Sequence, residues 1–255
     1  MTAYYNEIDK YAAQWLRNLI EAGHIAKGVV DERSIEDVRP SDLIGFKQCH
    51  FFAGIGGWSV ALRLAGWPDD KPVWTGSCPC QPFSQAGKGE GVADKRNLWP
   101  SWFYLIEQCK PPIIFGEQVE AAIKHRWLDL VQDDLEGSGY TFAAVGLPAS
   151  CVESPHTRAR LWFVANSDMS NGTRLEQKRI PMESKQETNG RGNFNYWQKS
   201  ELIRCADGKQ RPIEPGVFPL ANGIPNRVGR LRAYGNAIVP QVAEQIIRAF
   251  YDVGY

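Results

Sequence analysis

Two observations predict an α/β fold with a parallel sheet covered by helices. Short apolar runs alternate with amphipathic segments along residues 7–165, and this alternation is typical of parallel strands joined by helical crossovers. Most of the predicted strands also lead directly into, or follow, a candidate functional residue. Ligands bind at the carboxyl ends of the strands in open α/β sheets, so the second observation supports the first.

The individual elements follow from hydrophobic periodicity and from glycine and proline positions. Apolar residues from Ile8 to Ile20 recur at helical spacing, which predicts a helix over residues 7–22 that ends at Gly23. Strands are predicted at 28–31, 48–53, 73–77, 113–116, 141–145 and 161–165. Further helices are predicted over residues 58–65, 99–109, 120–136 and 239–253.

Residues 166–234 are predicted to form a small, loop-rich second domain beside a large domain made of 1–165 and 235–255. The insert is polar and shows little periodicity. Net charge is zero, yet residues 158–232 contain 14 basic and 7 acidic side chains, against 15 and 22 in the remainder. A basic third beside an acidic body favours a polyanion-binding module; a solvated basic loop is the alternative.

The sequence favours a reducing, cytoplasmic location. The 255 residues contain six cysteines, which is not a disulfide framework in a chain of this length. We find no apolar run of about 18 residues and no signal peptide at the start.

Cys78 and Cys80 follow the predicted strand 73–77 in a proline-kinked loop. A cysteine placed this way is usually a nucleophile or a metal ligand. No Cys-x-x-Cys pair or nearby histidine completes a zinc set, so we predict no metal. We expect Cys80 to be the nucleophile and Cys78 to be a buried packing residue.

Three further features stand at predicted strand ends. Phe52, Gly54, Gly56 and Gly57 form a glycine-rich turn into a helix, which suits close approach of a cofactor but also occurs as a simple tight turn. Glu117 follows an apolar strand, where desolvation would raise its pKa and suit it to proton donation. Arg158 and Arg160 share a side of an extended segment and could face an anion or a base.

Taken together, five motifs resemble those of the cytosine-C5 DNA methyltransferases and occur in that family's order over residues 48–250. They are Phe52–Gly57, Pro79–Ser84, Glu117–Val119, Pro155–Arg160 and Gly235–Ala237. The resemblance implies a Rossmann-like, S-adenosylmethionine-dependent fold with a small target-recognition lobe. It also implies that Cys80 adds to C6 of a cytosine flipped out of the duplex, that Glu117 interacts with N3, and that Arg160, with Arg158 nearby, helps to hold the base.

The chain departs from the family pattern in its cofactor region, because only 22 residues separate Gly57 from Cys80. We expect the missing adenine-side strands to have moved ahead of the glycine turn, in a partial circular rearrangement. Asp31 would then lie near the adenine and Trp58 could stack on it; a surface linker over 24–46 is the alternative. Pro79 and Asn236 complete the predicted cofactor set. Two motif positions also differ: Gln118 replaces an asparagine, and His156 a glutamine.

The predicted partner is double-stranded DNA, bound by a monomer in a bacterial cell, with a phage-encoded origin also open. The predicted nucleic-acid contacts are Gln81, Ser84, Lys88, Arg174, Lys178, Arg179, Arg191 and Arg204. Three alternatives stay open: a tRNA cytosine-C5 methyltransferase of the same fold, a catalytically silent DNA-binding homologue, and an enzyme that transfers an altered group from a modified methionine cofactor.

Overall fold

A computed structural model describes residues 2–79, 98–152, 154, 158–167, 201–204, 210–213 and 237–253. For residues 124, 125, 201–204 and 210–213 it describes the backbone alone.

One seven-stranded sheet dominates the described residues, in the order β2-β1-β3-β4-β5-β7-β6. The strands are β1 (Ala3–Asn6), β2 (Gly28–Asp31), β3 (Gln48–Phe51), β4 (Val73–Ser77), β5 (Ile113–Val119), β6 (Thr141–Pro148) and β7 (Ala159–Asn166). The first five are mutually parallel, whereas β7 runs antiparallel between β5 and β6. The predicted α/β class with a Rossmann-like sheet is confirmed.

The expectation of a wholly parallel sheet is wrong at β7. Only residues 149–158 join β6 to β7, and a parallel crossover usually needs a dozen or more residues. The chain therefore turns back on itself and pairs the two strands antiparallel. Arg160 lies inside β7, and Glu117 lies inside β5, because both strands are longer than predicted.

Helices cover both faces of the sheet. They are α1 (Lys10–Glu21), α2 (Gly57–Leu64), α3 (Trp99–Cys109), α4 (Trp127–Gly137) and α5 (Pro240–Asp252). Side chains of α1, α2 and α5 pack on one face, and those of α3, α4 and the 3-10 turn Ile35–Asp37 pack on the other. The predicted helix 120–136 is instead a 3-10 turn, Glu120–His125, followed by α4.

The first strand was missed by the sequence analysis. The predicted helix 7–22 begins only at Lys10, because the carboxylate of Asp9 accepts hydrogen bonds from the backbone N–H groups of Tyr11 and Ala12 and caps the helix there. The residues before it form β1, which is fully buried between β2 and β3.

The prediction that the upstream segment restores the sheet edge is confirmed by this topology. β1, α1 and β2 precede the glycine turn in the sequence, yet they form the edge of the sheet beyond β3. In the predicted insert, β8 (Glu201–Arg204) and β9 (Gln210–Ile213) pair as an antiparallel hairpin.

Candidate functional site

The candidate site lies where the carboxyl ends of β1 to β5 meet, since parallel strands end at the same edge of a sheet. The glycine turn follows β3. Phe52, Gly54 and Gly56 all have positive φ angles, of 52°, 56° and 87°. A left-handed conformation costs little at glycine but is unusual at a phenylalanine, and such strain concentrates at functional sites. The turn directs the amino terminus of α2 into the site.

The glycines of this turn have different surroundings. A methyl group added at Gly54 would meet no atom of the described residues within 4 Å, so among them the space beside it is open to a ligand. One at Gly57 would come 2.6 Å from a side-chain carbon of Ile238, and one at Gly56 would contact Leu16 and Leu19. Gly56 therefore lets α1 pack against the turn, Gly57 makes room for Ile238 just before α5, and Gly54 faces the open space.

Glu7, immediately after β1, is a site residue that the sequence analysis missed. Its Oε2 accepts a hydrogen bond of 2.7 Å from the backbone N–H of Gly54, and its Oε1 accepts one from Asp9. Burial raises the pKa of Glu7, and these two backbone donors oppose the rise. In the sequence, Glu7 is an acidic residue directly after a short strand that contains two tyrosines. That strand was not predicted, because Ile8 continues the helical spacing of the residues that follow. Ile8 itself is 65% exposed, beside Glu7.

Asp31 ends β2, one strand further from the glycine turn. Its carboxylate accepts hydrogen bonds from the Tyr4 hydroxyl at 2.7 Å and from the guanidinium of Arg33 at 2.6–3.1 Å. Partial burial raises the pKa of Asp31, but the hydrogen bonds from Arg33 and Tyr4 outweigh it and leave that pKa lowered. Asp31 thus lies at the predicted end of the sheet, with its oxygens engaged by protein groups. Its contact with adenine remains a prediction.

Trp58 does not have the surface needed to stack on adenine, so that prediction is wrong. Its side chain points from α2 onto the sheet and is only 3% exposed. The indole packs against Phe115 and edge-on to Trp162, at ring-centroid distances of 6.2 and 5.6 Å. Its Nε1 donates a 3.0 Å hydrogen bond to Oγ of Ser77.

The buried Glu117 and the half-buried Arg160 form an ion pair between β5 and β7. Arg160 Nε lies 2.8 Å from Glu117 Oε1, and the glutamate side chain is 8% exposed. The two residues are brought together because β5 and β7 pair antiparallel, with Val119 opposite Arg160 and Glu117 opposite Trp162. Sequence analysis predicted both residues for the site, and the structure places them in contact.

Burial raises the pKa of Glu117, and the charges of Arg160 and Arg158 together with a hydrogen bond from Ser77 oppose the rise. The net effect keeps the carboxyl group protonated to a higher pH than an exposed glutamate. The predicted desolvation of Glu117 is confirmed.

Cys78 is buried, and this burial, with the nearby Glu117, raises the pKa of its thiol. A buried, protonated thiol is a packing group rather than a nucleophile. Pro79 is the last described residue of this strand end, and Cys80 follows it outside the described residues.

Several other predicted contacts also lie outside the described residues. They are Gln81, Ser84, Lys88, Arg174, Lys178, Arg179, Arg191 and Asn236, and the variant motif position His156 lies outside them as well. Arg204 is the last residue of β8, where the backbone alone is described. Within the described ranges, no group of three or more His, Cys, Asp or Glu side chains could hold a metal ion. Nor does any helix of those ranges have the length and apolar character to cross a membrane.

Comparison with known proteins gives one family. Residues 67–204, more than half of the chain, match the family model for C-5 cytosine-specific DNA methylases. Among curated proteins, the type II methyltransferase M.MspI of a Moraxella species is 31% identical over 148 residues, which cover 53% of this chain and 35% of that protein. M.HhaI of Haemophilus parahaemolyticus is 24% identical over 167 residues, or 50% of this chain and 51% of that one.

The matched segment thus spans about half or less of these relatives' length. Among solved structures, the DNMT2 of Spodoptera frugiperda aligns with a TM-score of 0.44 and 18% identity, over 71% of this chain and 48% of that one. The Entamoeba histolytica methyltransferase EhMeth aligns with a TM-score of 0.42 and 14% identity, over 66% of this chain and 53% of its own.

Proposed function

Because the chain belongs to the C-5 cytosine-specific DNA methylase family, we propose that it transfers a methyl group to C5 of cytosine in double-stranded DNA. The observation that carries the proposal is the ion pair of the buried Glu117 with Arg160, one strand from the β4 end that leads to Cys80. A protonated carboxyl group at this position can donate to a ring nitrogen of a pyrimidine, and such proton donation is general acid catalysis.

In this proposal Cys80 adds as a thiolate to C6 of a flipped cytosine, and Glu117 donates a proton towards N3. The electrons of the C5–C6 bond then become available at C5, which takes the methyl group. Loss of the C5 proton to water and expulsion of the Cys80 thiolate restore the C5–C6 double bond, and N3 returns its proton to the Glu117 carboxylate. Arg160, which hydrogen-bonds Glu117, would hold the carboxyl group in the orientation needed for donation to N3.

The site at the glycine turn fits S-adenosylmethionine, which would supply the methyl group. Gly54 leaves open space beside the backbone, and the Glu7 carboxylate beside it can accept hydrogen bonds from ribose hydroxyls. Ile8 offers an exposed apolar side chain next to that carboxylate. In this assignment Glu7 binds the ribose, and Asp31 lies nearer the adenine.

Covalent trapping on duplex DNA that contains 5-fluorocytosine tests the function directly. Fluorine at C5 cannot leave as a proton does, so the methylated adduct to Cys80 would persist. We expect a stable protein–DNA adduct with S-adenosylmethionine present and none with Cys80→Ala. A tRNA transcript carrying 5-fluorocytosine serves as the second arm. Adduct on the transcript alone would replace DNA by tRNA as substrate, and no adduct on either would contradict catalysis.

A further inference from the structure

A line of hydrogen bonds connects the helix after the glycine turn to the proposed proton donor. Trp58 on α2 donates from Nε1 to Oγ of Ser77 at 3.0 Å. Ser77, the last residue of β4, in turn hydrogen-bonds the side chain of Glu117, its partner across the β4–β5 pair. Arg160 contacts the same carboxylate from β7. Glu117 is thus held from two sides.

The direction of these bonds follows from the chemistry of the groups. An indole N–H can only donate, so Ser77 Oγ must accept from Trp58. Its own hydrogen is then directed at the Glu117 carboxylate, which accepts. Ser77 and Arg160 both donate hydrogen bonds to the carboxyl group of Glu117. When that group is protonated, its own hydrogen can therefore be donated to a ligand.

We propose that Trp58 and Ser77 are positioning residues, which fix the orientation of the Glu117 carboxyl group and couple it to the helix that follows the glycine turn. This rests on the proposed function of Glu117 as proton donor. It also gives the buried Trp58 indole a role: its ring fills the core against Phe115 and Trp162, and its N–H holds Ser77 in place.

The charged and titratable groups that face Glu117 are few among the described residues. Arg160 and Arg158 act on it from β7 and the residue just before that strand, and Cys78 lies near it after β4. Ser77 is the neutral donor of the set. Removing its hydroxyl removes one interaction that favours the charged carboxylate, so the pKa of Glu117 should rise further.

The test compares Ser77→Ala with Ser77→Thr and Trp58→Phe. If methylation requires protonated Glu117, the alkaline limb of the kcat profile reports its pKa. For Ser77→Ala we expect this limb to move up by about one pH unit, the size of effect that one hydrogen bond to a charged group can have. We also expect kcat to fall several-fold while KM for S-adenosylmethionine changes less than twofold. Ser77→Thr should restore both, and Trp58→Phe should shift the limb in the same direction by a smaller amount.

Thr75→Val is the matched control. Thr75 lies two residues earlier on the same strand, and its buried hydroxyl pairs with His50 rather than with Glu117. We expect this variant to lower the melting temperature and leave the alkaline limb where it is. If Ser77→Ala and Trp58→Phe behave like Thr75→Val, the hydroxyl is merely structural and the proposal is wrong.

An infrared measurement separates this proposal from the proposed function. The carboxyl C=O band of protonated Glu117, assigned by its loss in Glu117→Gln, can be titrated in each variant without substrate. A higher midpoint in Ser77→Ala supports the coupling even if no methylation is found. If the midpoint of the Glu117 titration is unchanged in both Ser77→Ala and Trp58→Phe, the proposed coupling is wrong even if the enzyme is active.

Discussion

At the scale of single residues, the carboxylates at the ends of β1 and β2 have different surroundings. Glu7 accepts hydrogen bonds from two backbone N–H groups, and burial raises its pKa. Asp31 is held by the guanidinium of Arg33, which also bonds Asp42 at 2.9 Å. A ligand hydroxyl can join the Glu7 oxygens without breaking an ion pair, whereas at Asp31 it must compete with Arg33.

This contrast predicts the order of two substitutions on cofactor affinity. Glu7→Gln should weaken S-adenosylmethionine binding about tenfold, because hydrogen bonds to charged groups contribute roughly 1.5–3 kcal/mol. Asp31→Asn should weaken it less than Glu7→Gln. Isothermal titration calorimetry measures both, and Glu36→Gln, at an exposed acid in the 3-10 turn Ile35–Asp37, is the control. If the Asp31 variant lost more affinity, the ribose assignment to Glu7 would be contradicted.

His50, in the centre of β3, predicts acid sensitivity. It is fully buried, its ring stacks on Tyr5 at 4.8 Å, and its Nδ1 pairs with Thr75. Burial lowers the pKa of His50 to about 3, while an unfolded histidine titrates near 6.5. The folded state therefore excludes a proton that the unfolded state binds, so stability is full above about pH 6.5 and is lost as the pH falls towards 3.

The loss should reach about 1.4 kcal/mol per pH unit within that window. Urea unfolding between pH 7 and 4 measures it. The double variant His50→Phe/Thr75→Val removes the titrating ring and its partner together, and its stability should depend less on pH. An equal slope in both proteins would show that other groups cause the acid sensitivity.

At the scale of elements, the long β/α alternation was readable from sequence, but strand pairing was not. Apolar runs such as 113–116 identify strands, because a strand that is buried on both faces of the sheet has apolar side chains at successive positions. The four residues of β1 carry too short a pattern to separate from the helix that follows. The reversal of β7 depends on connection length, and the burial of Trp58 depends on how α2 rotates against the sheet. The Glu117–Arg160 contact likewise follows from the β5–β7 register.

Two glycines at adjoining positions of β4 and β5 shape the face that carries α3. A Cβ on Gly116 would lie 2.0 Å from the Phe163 ring, and one on Gly76 would lie 2.4 Å from the Trp102 ring. Each glycine therefore leaves room for an aromatic ring next to the backbone, one residue before Ser77 and Glu117.

We expect Gly116→Ala to destabilise the protein by about 3 kcal/mol, the upper end of what overpacking usually costs. Gly146→Ala on β6 is the matched control, since its added methyl group meets no atom within 4 Å in the part of the chain that the structure describes. Its effect should stay within about 0.5 kcal/mol. Thermal and urea unfolding compare the two. Similar stabilities would mean that Phe163 moves away without cost and that the glycine is not needed for packing.

At the scale of the whole molecule, chain order and spatial order differ at the sheet edge. The backbone of Thr2 accepts hydrogen bonds from the N–H groups of Lys47 and Gln48, and Val73 donates to the carbonyl of Lys47. The starts of β1, β3 and β4 therefore lie side by side. Whether the β1–α1–β2 unit comes before β3 or after α2, its strands can reach the same places in the sheet.

A chain with the segments reordered as 47–66, then 2–46, then 67–255 should consequently adopt the same fold. Two short glycine-serine linkers at the new junctions would allow for the changed connections, and doubling a loop's length costs only about 0.6 kcal/mol. We expect circular dichroism and melting close to those of the native order, and the same adduct on 5-fluorocytosine duplexes. A native-order chain with the same linker inserted after Gly66 controls for the linker itself. If that control folded and the reordered chain did not, the position of β1 and β2 ahead of the glycine turn would be a requirement of folding rather than one of two equivalent orders.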